Sequence, residues 1–401
     1  MATNHFLRCA KMTTLTISLA MPSTTIPVSS RHVAIVGAGA AGLVAARELR
    51  RDGHSVVVFE RGNEVGGTWV YTPHVEPDPL GLDPKRPIIH SSLYSSLRTN
   101  LPREVMGFMD FPFLIRPGES RDPRRYPGHR ESVMDITLSP VLLKFQASRP
   151  GKQMHSHNYR ISGPFRDQVV ILIGSSSSAV DICREVAAVA KEVHVASRSV
   201  ADETYTKQPG YDNLWLHSMI DNARDDGTVV FRNGKVVLAG VIMHCIGYKY
   251  HFPFLDTKGI VTVDYNHLGP LYKHVFPPAL SPYLSFIGIP WKIVPFPLFE
   301  LQSKWVAGVL SGRITLPSQK EMMEDINSFY SMFEAAGIPK RYTHCIGESQ
   351  FEYCNWLAAQ CGGQGVEKWR KLMNSAALVN QQLRPETYRD EWEDHDLVLE
   401  A

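Results

Sequence analysis

No two of the six cysteines, Cys9, Cys183, Cys245, Cys345, Cys354 and Cys361, stand in a CxxC spacing. Thiols scattered in this way fit a reducing compartment, and they exclude a thioredoxin-like pair or a zinc ribbon. The chain also lacks any apolar run near the roughly 20 residues that a membrane helix needs; its longest runs are broken by glycine, proline or charge. Charge of one sign is not in excess: a formal net charge of +2 gives nucleic-acid binding no electrostatic drive. With 44% hydrophobic and 20% charged residues the chain is not a disordered one, and 401 residues leave room for two domains. A small-molecule enzyme is the default. Residues 1–30 contain no acidic residue and much Ser and Thr, the composition of a transit peptide, but few Arg or Lys. A start at Met12 or Met21 is weighed above that reading, so the expected location is cytoplasmic, with an organelle as the alternative.

What is present begins with HVAIV, a β-branched run that enters GAGAAG at Gly37, Ala38, Gly39, Ala40, Ala41 and Gly42. The helical stretch LVAARELRRDGH and a second strand, VVVFE, follow. Gly37 serves a tight turn, Gly39 lets backbone approach a pyrophosphate, Gly42 lets helix lie on strand, and the helix N-terminus favours the phosphate charge. Glu60, 23 residues after Gly37, is placed to accept hydrogen bonds from an adenosine ribose. A glycine turn alone is weak evidence. The two strands, the helix and the acid together predict a dinucleotide site.

QVVILIGSSSSAVDICREVAAVAKEVHVASRS repeats the pattern, with a strand at Val169–Ile173, a turn at Gly174, Ser175, Ser176, Ser177, Ser178 and Ala179, a helix over Val180–Lys191 and a strand at Val193–Ala196. Serine is small enough for close approach and its hydroxyl bonds phosphate. No acid ends the second strand. Arg198 stands there instead, 24 residues after Gly174, and an arginine pairs with a ribose 2′-phosphate where an acid would not. The second nucleotide is therefore expected to be NADPH, a solvated surface arginine being the alternative. An acidic first fold and a basic second one predict a flavoprotein fed by NADPH. Disulfide reductases share that layout but require the cysteine pair that is missing here.

The ordered segments GAGAAG, EVGGTW, SLRTNLPRE, PGKQMHSHNYR, GSSSSA, CIGYKY, LYKHVFPPALSP, FELQSKWVAGVLSGR and YRDEWEDHD resemble the plant flavin-containing monooxygenases of the glucosinolate S-oxygenase group, from about Ser30 to the end. Auxin-pathway monooxygenases share the cofactor motifs but resemble RTNLPRE and YRDEW less. The resemblance implies an α/β fold of two dinucleotide-binding, Rossmann-like domains, the NADPH domain inserted in a discontinuous FAD domain. It implies reduction of FAD by NADPH and capture of O2 as a flavin hydroperoxide that gives one oxygen to a small-molecule thioether. Gly66, Gly67, Thr68 and Trp69 would lie along FAD, although Trp69 also reads as a core anchor. Asn100 would sit beside the flavin ring, where its bare reading is a turn residue before Leu-Pro. Cys245, Ile246 and Gly247 fill the positions that return the chain to the FAD domain. No metal site is expected, since His155 and His157 have no nearby acid or cysteine in sequence to complete one; in the family they belong to the motif FxGxxxHxxxY, which Gly151, His155 and Tyr159 fit and Arg149 does not.

The sequence departs from the family before that motif. Only Ser132–Arg149 separates RRYPGHRE from it, so a β-meander and a strand flanking the flavin are expected to be missing, exposing backbone groups and an apolar face. The expected division is an extension over 1–30, an incomplete FAD domain over 31–148 and 240–330, an NADPH domain over 149–239 and a helical region over 331–401. Met322–Pro339 reads as an amphipathic helix stopped by Gly337 and Pro339. The leading expectation is thioether S-oxygenation; the alternatives are an uncoupled NADPH oxidase releasing hydrogen peroxide and an inactive shortened paralogue.

Overall fold

The computed structural model describes residues 29–83, 85–114, 122–129, 138–140 and 152–392. Residues 1–28 of the extension, most of Ser132–Arg149, Gly151 and the end of the acidic tail lie outside the described residues.

The first fold is β1 (His32–Val36), α1 (Ala40–Arg51) and β2 (Ser55–Phe59), followed by a short α2 (Arg103–Met106) and β3 (Leu138–Pro140). The second opens with β4 (Lys152–His155), β5 (Val169–Ile173), α3 (Ser177–Ala187) and β6 (Glu192–Ala196), and continues through β7 (Tyr205–Lys207), β8 (Leu214–His217), β9 (Ile220–Ala223), β10 (Thr228–Phe231), β11 (Val236–Leu238) and β12 (Val241–His244). After β13 (Tyr248–Tyr250), β14 (Thr262–Asp264) and β15 (His267–Gly269) come the helices α4 (Pro295–Leu310), α5 (Gln319–Ala335), α6 (Gln350–Gln360) and α7 (Lys368–Leu383). The helix predicted over Val180–Lys191 starts and ends earlier: Ala190 already turns back to Val186, and Lys191 donates to the Gln168 carbonyl. The helix expected at Met322–Pro339 likewise begins earlier, because Ser318 and Glu321 form a reciprocal capping box.

Six strands build the second sheet in the order β4-β12-β5-β6-β8-β7, parallel except for β7 at the edge. Such strands are covered on both faces and read as unbroken apolar runs, as VVILI does. Leu172, Val193, Val195 and Leu214 meet α3 on one face, while Ile171, Ile173 and Ala196 meet Val229 and Phe231 of the β9–β10–β11 sheet on the other. β12, which follows the predicted boundary at 239, pairs with both β4 and β5 inside this sheet.

The first sheet has two strands: among the described residues β1 pairs with β2 and with nothing else. Alternate side chains of the pair face open solvent, with Val36 at 59%, Val57 at 56% and Phe59 at 52% exposure. Among the described residues no further strand pairs with β1 or β2, and this apolar face lies open. The other face is held by α1, which lies on α4, a helix buried nearly all round. Between these helices the buried carboxylates Glu48 and Glu300 and the half-exposed Asp110 are paired with Arg47, Arg51 and Lys304, an arrangement that offsets part of the cost of burying the acids.

Candidate functional site

Two glycine turns form the site. At the first, Gly37 holds φ +105°, which strains any other residue, and a Cβ on Gly42 would sit 2.0 Å from the Gly37 carbonyl oxygen, so Gly42 has no room for a side chain. Gly39 caps α1 without any side-chain hydrogen bond, and no acid stands in the first helical turn. Ala38, Ala40 and Ala41 are buried behind it. Glu60 closes the turn: Oε2 accepts the Ala38 N–H at 2.7 Å and Oε1 the Gly62 N–H at 2.7 Å. Each carboxylate oxygen retains a lone pair for a ribose hydroxyl. The Gly66 N–H donates to the Ala38 carbonyl at 3.0 Å, which joins the Gly67–Trp69 turn, with Thr68, to the same loop. The indole N–H of Trp69 is buried there without an acceptor. These features fit the nucleotide end of FAD.

The second turn is built on the same plan. Gly174 holds φ +113°, and a Cβ there would lie 2.3 Å from the Cys245 carbonyl oxygen. This close approach places CIGY directly against the turn. Ser176 caps α3 with extended backbone and leaves its hydroxyl unused; Ser175, Ser177 and Ser178 are exposed around it, and Ala179 is buried under the helix. Ser175 Oγ lies 2.7 Å from Ser197 Oγ, which lies 2.7 Å from Ser199 Oγ, and the exposed Arg198 stands between the last two. Three linked hydroxyls, with the exposed Arg198 between two of them in sequence, are donor groups of the kind that a phosphate would take. Ser197 and Ser199 were missed in the sequence reading; the SRS spacing flanking Arg198 was the available signal.

Between the turns runs a buried polar chain. Tyr248 donates to Ser92 Oγ at 2.7 Å, Ser92 Oγ lies 2.7 Å from His157 Nδ1, and His157 Nε2 is 3.4 Å from Glu76 Oε1. Burial pulls the Glu76 carboxyl upward, but hydrogen bonds from His157 and Arg86 prevail and hold it at about 2. His155, pushed down to about 4 chiefly by burial, has Nε2 3.2 Å from the Gly247 carbonyl oxygen. Tyr159 donates to Glu185 of α3 at 2.7 Å. The two histidines and the tyrosine of PGKQMHSHNYR thereby lock one nucleotide unit to the other. Asn100 is exposed in the loop before α2; its neighbour Leu101 packs on the same core as Trp69.

Residues 210–363 match the flavin-binding monooxygenase-like family and residues 35–91 the NAD(P)-binding Rossmann-like domain. The flavin-containing monooxygenase FMO GS-OX-like 4 of Arabidopsis thaliana is 56% identical over 438 residues, covering 94% of this chain and 97% of that protein. The chain belongs to the flavin-containing monooxygenases of the GS-OX group. FMO GS-OX5 of the same plant is 52% identical, with 93% of this chain and 94% of that one covered. Among solved structures, this monooxygenase is similar to the S-allyl-L-cysteine S-oxygenase of Allium sativum, at 55% identity and a TM-score of 0.88, covering 93% of this chain and 98% of the other. Tmm of a Pelagibacter strain, at 24% identity and a TM-score of 0.69, shares the fold. The 438-residue alignment is longer than this whole chain of 401, so the relative carries within it residues that have no counterpart here. No described helix of this monooxygenase is long and apolar enough to cross a membrane.

Proposed function

We propose that this monooxygenase is an NADPH- and FAD-dependent S-oxygenase that converts a small thioether, of the methylthioalkyl glucosinolate or S-alkyl-cysteine kind, to its sulfoxide. The observation that carries the reading is the pairing of unlike turns: an acidic one for FAD at Gly37–Glu60 and a hydroxyl-lined basic one for NADPH at Gly174–Arg198. The balance is NADPH, H+, O2 and thioether to NADP+, water and sulfoxide. FAD, when bound, supplies the electron transfer and oxygen activation.

The chain's own residues bind and orient. Gly37, Ala38, Gly39, Ala40, Ala41 and Gly42 bring α1 to the FAD pyrophosphate, Glu60 holds its ribose, and Gly67, Thr68 and Trp69 line its path. Gly174, Ser175, Ser176, Ser177, Ser178 and Ala179 do the same for NADPH, with Arg198 selecting the 2′-phosphate. The Asn100 amide offers hydrogen bonds at the reacting end.

The uncovered face of β1 and β2 favours a second reading, in which the site admits water and the enzyme releases hydrogen peroxide. Purified protein supplied with FAD, NADPH and a methylthioalkyl substrate tests both. Sulfoxide formed in proportion to NADPH consumed supports the first, peroxide in that proportion supports the second, and colourless protein with neither product rejects both.

A further inference from the structure

The YRDEW segment has no part in the cofactor sites, yet it joins them. Beyond α7 the chain turns through residues 384–392 across the outer side of α3. The Arg389 guanidinium donates from Nη1 to Asp181 Oδ1 at 3.1 Å and from Nη2 to Asp181 Oδ2 at 2.7 Å, and its remaining edge donates from Nε to the Thr99 carbonyl at 3.0 Å. Asp181 lies just past the first turn of α3, the helix whose N-terminus faces the second nucleotide. Thr99 immediately precedes Asn100. The Arg389 and Asp181 side chains are only 16% and 15% exposed, so water offers little competition for the contact.

The surroundings fix this fork from behind. Arg98 donates to the Arg389 carbonyl at 3.0 Å, to Asp390 at 2.7 Å and to the Tyr126 carbonyl at 2.9 Å. Tyr388, 2% exposed, meets the Tyr126 ring edge-on at 5.5 Å. A separate pair, Arg184 to Glu386 at 3.0 Å with Arg184 to the Pro385 carbonyl at 2.7 Å, anchors the segment on α3 without Arg389.

We propose that Arg389 is a positioning residue that couples occupancy of the NADPH site to the placement of Asn100. A planar guanidinium holds a carboxylate on one edge and a carbonyl on another in fixed relation, so a shift of α3 on binding phosphate is passed to the 97–103 loop. Lysine carries its three donors on one nitrogen and lacks the planar, two-edged fork that spans both partners. The proposal rests on the reading that Asn100 acts at the reacting end.

The test is hydrogen exchange on the full chain with and without NADP+, in the wild type and in Arg389→Lys, beside the NADP+ dissociation constant of each. NADP+ is expected to slow amide exchange over residues 97–103 in the wild type. Arg389→Lys is expected to bind NADP+ within about twofold yet lose that protection, and to lower kcat for sulfoxide formation about tenfold or more with little change in KM for NADPH. The proposal is overturned by protection that persists in Arg389→Lys, by its absence in the wild type, or by affinity falling in step with protection. Asn100→Ala separates the two readings: sulfoxide formation that survives it removes the role of Asn100, while the exchange result judges the coupling alone.

Discussion

In the second nucleotide fold β5 and β6 lie between neighbours on both sides, and each is buried at every residue after its first. In the first fold, among the described residues, β1 and β2 have only each other, and neither strand contains a buried residue. The turns are nevertheless built alike, with Gly37 and Gly174 at nearly the same φ and a small-residue helix start after each. Turn geometry is therefore a local property, set by a handful of small residues. Rigidity is not, because it comes from packing against elements distant in sequence.

The largest expected effect separates the two turns themselves. Gly174→Ala forces a Cβ against the Cys245 carbonyl in addition to straining the backbone and should cost about 3 kcal/mol or more. A Cβ on Gly37 meets nothing within 4 Å, so Gly37→Ala should cost only the backbone strain, about 1–2 kcal/mol. Urea unfolding measures both, and equal losses would break the comparison. Next come the strands: Ile171→Ala, in a fully buried position, should lose about 3 kcal/mol. Val57→Thr on the open face should stay within about 0.5 kcal/mol of wild type. A large loss at Val57 would mean that this face is covered in solution.

Acid should act through the buried histidines, and His217 reports on the second fold. His217 packs on Phe231, and burial together with the neighbouring His194 holds it at about 3. Its unfolded form takes up a proton below about 6.5, so the stability is fully present above that pH and is lost as pH falls towards 3. His217 alone contributes about 2 kcal/mol to the loss between pH 7 and 5, visible as a falling midpoint in thermal melts that a His217→Gln variant makes shallower without abolishing, since His155, His267 and His274 are held at about 4. Nucleotide choice, read in binding rather than stability, comes last. Arg198→Gln should raise the NADP+ dissociation constant about tenfold, or ~1.4 kcal/mol, and leave NAD+ nearly unchanged. Fluorescence titration with both nucleotides checks this, and equal weakening would remove the phosphate assignment.

Much of this architecture was legible in the sequence because its signals are local. β1, its glycine turn, α1 and β2 follow one another within 30 residues, and the second set repeats them. The short spacing of 137 residues between Gly37 and Gly174 is likewise plain in the sequence, and the 438-residue alignment with a relative agrees that residues are lacking somewhere in this chain. The illegible parts are contacts between remote residues. Ser175 meets Ser197 only because β5 and β6 pair in register, and Arg389 reaches Asp181 across 208 positions. Neither spacing has a periodic or compositional trace.

The bare side of β1 has a further consequence, for handling the protein in solution. An extended strand paired on one edge only among the described residues, with Ala34 and Val36 on its open face and Val57 and Phe59 beside them, is a template on which another strand can add. Such addition is second order in protein, so the first fold makes the colloidal lifetime of the whole molecule depend on concentration, and dilute storage should preserve it best.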